Sequence, residues 1–217
     1  MKVKSVNASN DKLTEPLADI WSQVPGKNLG LAPSPIAATQ YLSPFMALKT
    51  DHGTVSNVEL KLAHNGRTIF ARLRWKNDRA NTVIKDLDDF SDGAGIMFPL
   101  TPDANAFAMG DEANPVNAWL WKADKEKPFD VYARGWGSSQ RRSAEISGLE
   151  TQAEYIDGFW HLVFKRSLRT SLIGKELVNF TPNSTLGVAI AIWDGGNKER
   201  AAQKSFSGNW EPIEIEP

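Results

Sequence analysis

The sequence predicts an all-β fold, an antiparallel or mixed β-sandwich with few short helices, and three observations carry that expectation. Short apolar runs alternate with polar residues at period two, as half-buried strands do. Asn65-Gly66 and Asp157-Gly158 each lie between two such runs, and both dipeptides tolerate the positive φ that tight hairpins need. No stretch shows the long amphipathic pattern of a helical layer. At 217 residues the chain suits a single domain over 1–217.

Residues 1–35 are rich in Pro and Gly and weakly periodic, so they read as an irregular arm over the fold or over a partner. Within them Leu17–Trp21 reads as a short strand or turn anchored by the indole, and beyond them Ile36–Leu42 reads as a strand ending at Pro44. Val58–Leu62 and Ile69–Trp75 then alternate about the Asn65-Gly66 turn. Val58, Leu60 and Leu62 share an apolar face with Ile69, Ala71, Leu73 and Trp75, while the other face carries charge. His64, beside the turn, is expected to be solvated or bonded to backbone. Phe129–Trp136 reads as a strand and Gly135–Ser139 as a flexible turn. Gln152–Ile156 and Phe159–Lys165 form the second hairpin, with His161 opposite Trp160, Leu162 and Phe164 and expected to face solvent or an interface. Lys165–Leu177 has room for a short helix. Leu186–Trp193, almost wholly apolar, has the composition of a strand buried on both faces. Lys204–Trp210 and on through Ile215 read as a closing strand.

The centre of the chain is Asp86–Asp124. An acidic, Gly-punctuated turn leads into Ile96-Met97-Phe98-Pro99-Leu100, a loop carries Phe107-Ala108-Met109-Gly110 at its tip, and Val116-Asn117-Ala118-Trp119-Leu120-Trp121 alternates like a half-buried strand. Two strands joined by a loop with one thioether between small residues make a reasonable rim for a cofactor cavity, although a methionine is by default filler for irregular gaps. Asp88-Asp89 reads as a solvated turn, and the eight tryptophans as core or as lining of a cavity or partner surface.

Composition narrows the chemistry. A net charge of −1 with scattered basic residues gives no field for nucleic acid or an anionic membrane. The absence of cysteine excludes disulfides, thiolate-held iron–sulfur clusters, zinc ribbons and thioether-attached haem, so any haem must be held non-covalently. No apolar run approaches the ~20 residues of a membrane span. Met1–Asn10 lacks the apolar stretch of a secretory signal. No Gly-x-Ser-x-Gly, His-Glu-x-x-His or phosphate loop is present, and Asp92-Gly93-Ala94-Gly95 precedes a strand rather than a helix, which removes the dinucleotide reading.

The central pattern, together with Ser43-Pro44-Phe45-Met46-Ala47-Leu48, Ala63-His64-Asn65-Gly66, Arg72-Leu73-Arg74-Trp75, Val188–Asn197 and Lys204-Ser205, resembles the haem b (gamma) subunit of ethylbenzene dehydrogenase and related molybdenum enzymes of the dimethylsulfoxide reductase family, type II. The segment from about Gly137 to Thr185 matches only loosely. The resemblance implies one non-covalent haem b with Met109 and Lys204 as axial ligands. It further implies a pocket drawn from Met97, Phe98, Phe107, Asn117, Trp119 and Ser205. Met97 is the competing thioether and Lys198 the competing amine. An ammonium has no lone pair, so a ligating Lys204 must be neutral, as burial beside a positive centre favours. With both axial positions filled the haem transfers electrons and does not activate oxygen.

The resemblance also implies partners: a catalytic subunit with molybdenum bis-pterin and an iron–sulfur subunit in a heterotrimer, with an external electron acceptor. The complex would hydroxylate a hydrocarbon or sterol-like substrate without oxygen, in the periplasm, this chain being co-exported with a partner bearing a twin-arginine signal. A second reading of a tryptophan-rich β-sandwich of this size is a carbohydrate-binding module without cofactor.

Overall fold

The computed structural model describes residues 1–170 and 176–217. In chain order the elements are β1 (Lys2–Ser5), α1 (Asn10–Thr14), a 3-10 turn (Asp19–Gln23), β2 (Gly26–Gly30), β3 (Ala32–Pro33), α2 (Ile36–Leu42) and a second 3-10 turn (Met46–Leu48). Then come β4 (Asn57–His64), β5 (Thr68–Lys76), β6 (Gly93–Pro99), β7 (Val116–Lys122), β8 (Phe129–Ala133), β9 (Gln140–Ser143) and α3 (Ala144–Ser147). The chain closes with β10 (Glu150–Ile156), β11 (Phe159–Ser167), β12 (Thr185–Trp193), β13 (Ser205–Phe206) and β14 (Glu211–Ile215).

The two predicted hairpins form as their turn residues dictate. β4 and β5 pair antiparallel around Asn65-Gly66, and β10 and β11 around Asp157-Gly158, whose φ values of 51° and 79° are those of a primed turn. These four strands, in the order β10-β11-β5-β4, make the first sheet together with β2, which pairs antiparallel with β4. The second runs β12-β6-β7-β8-β9, with short β13 on β12 and β3 on β13. Strands β1 and β14 join the sheets: β1 lies parallel to both, pairing Val3 with Ile215 and Lys4 with Ala63.

The two sheets pack face to face as a β-sandwich. Alternation sends Val58, Leu60, Leu62, Leu73, Leu162 and Phe164 inward from the first sheet against Ala94, Ile96, Phe98, Val188, Ile190 and Ile192 of the second. Indole and phenyl rings fill the widest part. Trp121 meets Trp160 edge-on at 4.9 Å, and Trp119 packs against Phe98, Phe164 and Phe180. The acidic turn before β6 is pinned by Asp92, fully buried, which accepts hydrogen bonds from Asn81 N (2.8 Å), Gly195 N (2.8 Å) and Trp160 Nε1 (2.9 Å). With a fourth from Asn81 Nδ2 (3.0 Å), these bonds offset the desolvation of that carboxylate.

Several expectations are corrected. Residues 1–35 are not an irregular arm: they supply three strands and α1. Leu13, Trp21 and Val24 from this segment pack on Ala63, Phe70 and Val163 of the first sheet. Ile36–Leu42 is a helix, not a strand. Pro35 precedes it at the N-cap, and Ser43, standing before Pro44, leaves helical geometry at φ −166°. His161 faces neither solvent nor an interface, because the N-terminal segment covers it. It is 8% exposed and accepts a hydrogen bond from Arg72 Nη2 (2.8 Å), and Arg72 in turn donates to Pro16 O (2.7 Å) and pairs with Glu59 (3.2 Å). His64 is bonded to backbone, donating to Glu216 O at 3.0 Å. The strand Phe129–Trp136 stops at Ala133, and the closing strand is two pieces, β13 and β14. In Lys165–Leu177, β11 runs on to Ser167, and residues 171–175 lie outside the described residues.

Candidate functional site

Strand parity builds a floor on the outer face of the second sheet. Residues facing the core at one position leave the next to face outward, and here those outward residues are small: Gly95, Ala118, Ala189 and Ala191. The register aligns them. Arg141, Val131, Ala118, Met97 and Ala189 form one row across β9, β8, β7, β6 and β12, and Leu120, Gly95, Ala191 and Phe206 form the next. Trp193 lies against Gly95, where an added Cβ would come within 3.5 Å of its ring. Above this floor stand the loop tip at 106–109, the turn at 136–139, residues 201–208, and Ser34, Pro35, Ala38 and Leu42. They enclose about 330 Å³ of mostly apolar space, within the range of small-ligand sites.

Met109 reaches this cavity from a backbone position that few residues adopt. Its φ is 60°, and Gly110 follows at 79°. An added Cβ on Gly110 would stand 2.4 Å from Asn114 O, so only glycine fits. A methionine held in the left-handed region costs on the order of 1 kcal/mol, and such strain concentrates at functional sites. Hydrogen bonds fix it: Gly110 N donates to Asn105 O (2.9 Å), Gly135 N to Met109 O (3.0 Å) and Trp136 Nε1 to Phe107 O (2.9 Å).

Lys204 lines the same cavity, immediately before β13. Its backbone is clamped from the N-terminal side: Ser34 N donates to Lys204 O (2.9 Å), Lys204 N donates to Ser34 Oγ (3.3 Å), and His52 Nε2 donates to Ser34 O (2.7 Å). Gln203 Nε2 donates to Met46 O (2.8 Å) and Val55 N to Ser205 Oγ (3.1 Å), so both neighbours of Lys204 are tied down as well. The amine itself has no hydrogen bond or ion pair among the described residues; its nitrogen stands 5.2 Å from the centre of the Trp193 ring. Burial pulls its pKa down from 10.5 to about 8, since nothing offsets the desolvation of the charged form.

The structure thus brings Met109, Lys204, Met97 and Phe107 to one cavity. Met97 lines it because strand parity turns its side chain outward, opposite to the core-facing Phe98 beside it. Phe107 is 39% exposed and packs on Trp136 and Phe206. Trp119 borders the cavity with its ring in the core. Phe98, Asn117 and Ser205 do not line it. Phe98 is core; Asn117 Nδ2 donates to Asp130 (3.1 Å) and Val131 O (3.0 Å) on the inner side; Ser205 is fully buried. Lys198 is distant in role: it is exposed and paired with Asp88. Sequence reasoning missed Arg141, Trp193, Trp136, Phe206, Ser34 and the floor of small residues, although glycine or alanine at alternate strand positions was a readable signal.

The donor set is particular. A thioether and an unpaired amine suit a soft or borderline transition metal already held by another frame, and no carboxylate lines the cavity. No cluster of three or more His, Cys, Asp or Glu suited to a bare metal ion exists among the described residues.

Comparisons with known proteins extend over most of the chain. A family model described as Ethylbenzene dehydrogenase matches residues 18–152 and 140–205. A Haloferax mediterranei protein assigned as the heme subunit of a respiratory nitrate reductase is 29% identical over 206 residues, 94% of this chain and 69% of that protein. Chlorate reductase subunit gamma of Ideonella dechloratans is 29% identical over 96% of this chain and 82% of its own. Dimethylsulfide dehydrogenase subunit gamma of Rhodovulum sulfidophilum is 29% identical over 88% and 71%. Among solved structures, a Bacteroides uniformis protein assigned to carbohydrate binding superposes with a TM-score of 0.61 at 12% identity, over 100% of this chain and 98% of that one. A family 9 carbohydrate-binding module of Caldicellulosiruptor kristjanssonii superposes at 0.52 and 10% identity, over 100% and 95%. At such identities the likeness is one of fold alone.

Proposed function

The chain belongs to the ethylbenzene dehydrogenase family, and on that premise we propose that it binds one haem b non-covalently and serves as the electron-transfer subunit of a molybdenum enzyme complex. The observation that carries this reading is the meeting of Met109 and Lys204, remote in sequence, in one apolar cavity with an amine already pushed toward neutrality and left without a partner. The residues present fit the group. A floor of Gly95, Ala118, Ala189 and Ala191 leaves room above it for a flat macrocycle, and the Met109 thioether and Lys204 amine are the donors that would hold its iron. When bound, haem supplies a reversible one-electron carrier.

The chain's own residues set what that carrier does. Met109 favours the reduced form and raises the potential. Lys204 would supply the second donor, and with both donors engaged the group would offer no open place for oxygen or substrate. The apolar walls exclude water. The electrons come from an iron–sulfur subunit, itself fed by a catalytic subunit with molybdenum bis-pterin, and leave to an external acceptor. The substrate is a hydrocarbon or sterol-like molecule hydroxylated without oxygen, and the complex is periplasmic, exported folded with a signal-bearing partner. No helix among the described residues is long and apolar enough to cross a membrane.

The test is a spectrum of the full chain titrated with haem. A low-spin Soret and visible spectrum is expected. Met109→Ala should become high-spin or lose haem, Lys204→Ala likewise, and Met97→Leu and Lys198→Ala should change little. A chain that stays colourless, as a sugar-binding module would, overturns the reading; a low-spin form lost in Lys198→Ala and kept in Lys204→Ala moves the ligand. Cell fractionation with and without the catalytic partner tests the location, and cytoplasmic retention of the assembled complex would contradict it.

A further inference from the structure

Apart from Lys204, one charged residue among the described residues lines the cavity, and it stands at the other end of the sheet. Arg141 is on β9, four strand steps from β12 in the order β9-β8-β7-β6-β12, which at ~4.8 Å per step is about 19 Å. Exposed at the mouth of the cavity, its guanidinium makes no hydrogen bond or ion pair among the described residues; it lies over the Phe129 ring at 5.4 Å, with the like charge of Lys122 nearby. Beside it Ser139, also on the cavity wall, has a hydroxyl with no hydrogen bond among those residues.

Arg142 shows by contrast what a structural arginine looks like here. Strand alternation turns it to the opposite face, where it donates from Nε to Asp130 (2.9 Å) and from Nη1 to Glu176 (2.8 Å). Of two adjacent guanidinium groups one is fully engaged and the other faces an apolar cavity that contains no carboxylate. Such a cavity is complementary to an apolar body with an anionic edge.

We propose that Arg141, assisted by Ser139, receives the carboxylate side chains of the bound cofactor and fixes its orientation, with the acidic edge toward β9 and away from Lys204; this rests on the haem reading above. A planar guanidinium matches a carboxylate with two parallel hydrogen bonds, which lysine cannot reproduce. Arg141 is thus a binding and positioning residue, and it makes the site selective for the free acid over its ester.

The experiment measures release of haem from the full chain to excess apomyoglobin, for haem b and for its dimethyl ester, in the unaltered chain, R141K and R141Q. The unaltered chain should hold the acid longer than the ester. R141Q should release the acid roughly ten- to hundredfold faster and treat acid and ester alike, and R141K should fall between. A low-spin spectrum of loaded R141Q shows that the axial bonds survive, so the faster release is not a collapse of the site. R142Q should lower stability yet keep the preference for the acid. If the unaltered chain takes up no haem, the functional reading itself fails. If it binds haem and R141Q still prefers the acid to the same degree, the assignment of Arg141 is wrong while that reading stands.

Discussion

The outer faces of the two sheets meet the same requirement in opposite ways. The first sheet turns Ala63, Phe70, Arg72, His161 and Val163 outward, and the chain covers them itself: Leu13, Trp21 and Val24 fill the apolar part, and Pro16 and Glu59 satisfy Arg72. The second sheet turns Gly95, Ala118, Ala189 and Ala191 outward, and the segments above them stop short of contact, leaving about 330 Å³. One face carries bulk and matched polar partners. The other carries small side chains and two cations, Lys204 and Arg141, without ion pairs among the described residues. The lesson is that in a sandwich the outer face distinguishes stability from function, since the inner faces of both sheets contribute to one buried core.

The strongest way to break the contrast is to make the open face resemble the covered one. Ala118→Phe or Ala191→Phe should abolish stoichiometric haem uptake in a Soret titration while leaving the thermal midpoint of the cofactor-free chain unchanged or higher. Uptake like that of the unaltered protein would show that the floor is not the haem surface. The converse is to open the covered face. Phe70→Ala, at a fully buried position, should cost about 3–5 kcal/mol in urea unfolding, with haem capacity retained in the fraction still folded.

A subtler pair of changes uses protons. His161 is held to about 4 by burial, with Arg72 adding to the effect, against 6.5 in an unfolded chain. Between those values the unfolded chain binds more protons, so stability on the covered face should be lost as pH falls from 6.5 to 4. Lys204 in the cofactor-free chain lies at about 8 against 10.5, so its burial penalty is present below 8 and relieved as pH rises to 10.5. Urea midpoints against pH should rise through both windows. His161→Gln should flatten the acid window and Lys204→Met the alkaline one; a single variant flattening both would refute the separation. In the haem-bound chain the free amine remains on iron above a still lower pKa, and acidification through that value should give a low- to high-spin change. The smallest effect is expected from Ser34→Ala, which loosens the clamp on Lys204: about 1 kcal/mol of stability and a modest rise in the pH at which the amine leaves.

Much of the fold was legible because its signals are local. Asn65-Gly66 and Asp157-Gly158 mark their hairpins, and period-two alternation marks β4, β5, β7 and β11. The first strand is another matter. Lys2–Ser5 is too short to show a period, and its partners at Ala63 and Ile215 are remote, so nothing nearby announces it. The helix Ile36–Leu42 was misread because Ile36 and Tyr41 look strand-like, although Pro35 before it and paired alanines within it are helix signals. In the site, Met109 and Lys204 came from resemblance, and no spacing rule would have united them. Parity alone would have corrected the rest. Met97 and Phe98 are neighbours in one strand and cannot share a face, and Asn117 and Trp119 both oppose Ala118.

The pairing of β1 has a consequence for the order of events at the ribosome. Lys4 can settle beside Ala63 early in synthesis, but the other edge of β1 waits for Ile215. At translation rates of about 5–20 residues per second the 152 residues from Ala63 to Ile215 make that wait about 8–30 seconds. For that time a half-built sheet presents an unpaired edge, the hazard that favours capture by chaperones over unassisted collapse. Lys204 emerges near the end of the same interval, so the cavity has only one of its two donors until the sheet is nearly ready to close. On the haem reading proposed above, the cofactor would therefore be held by both donors only once synthesis has passed residue 204.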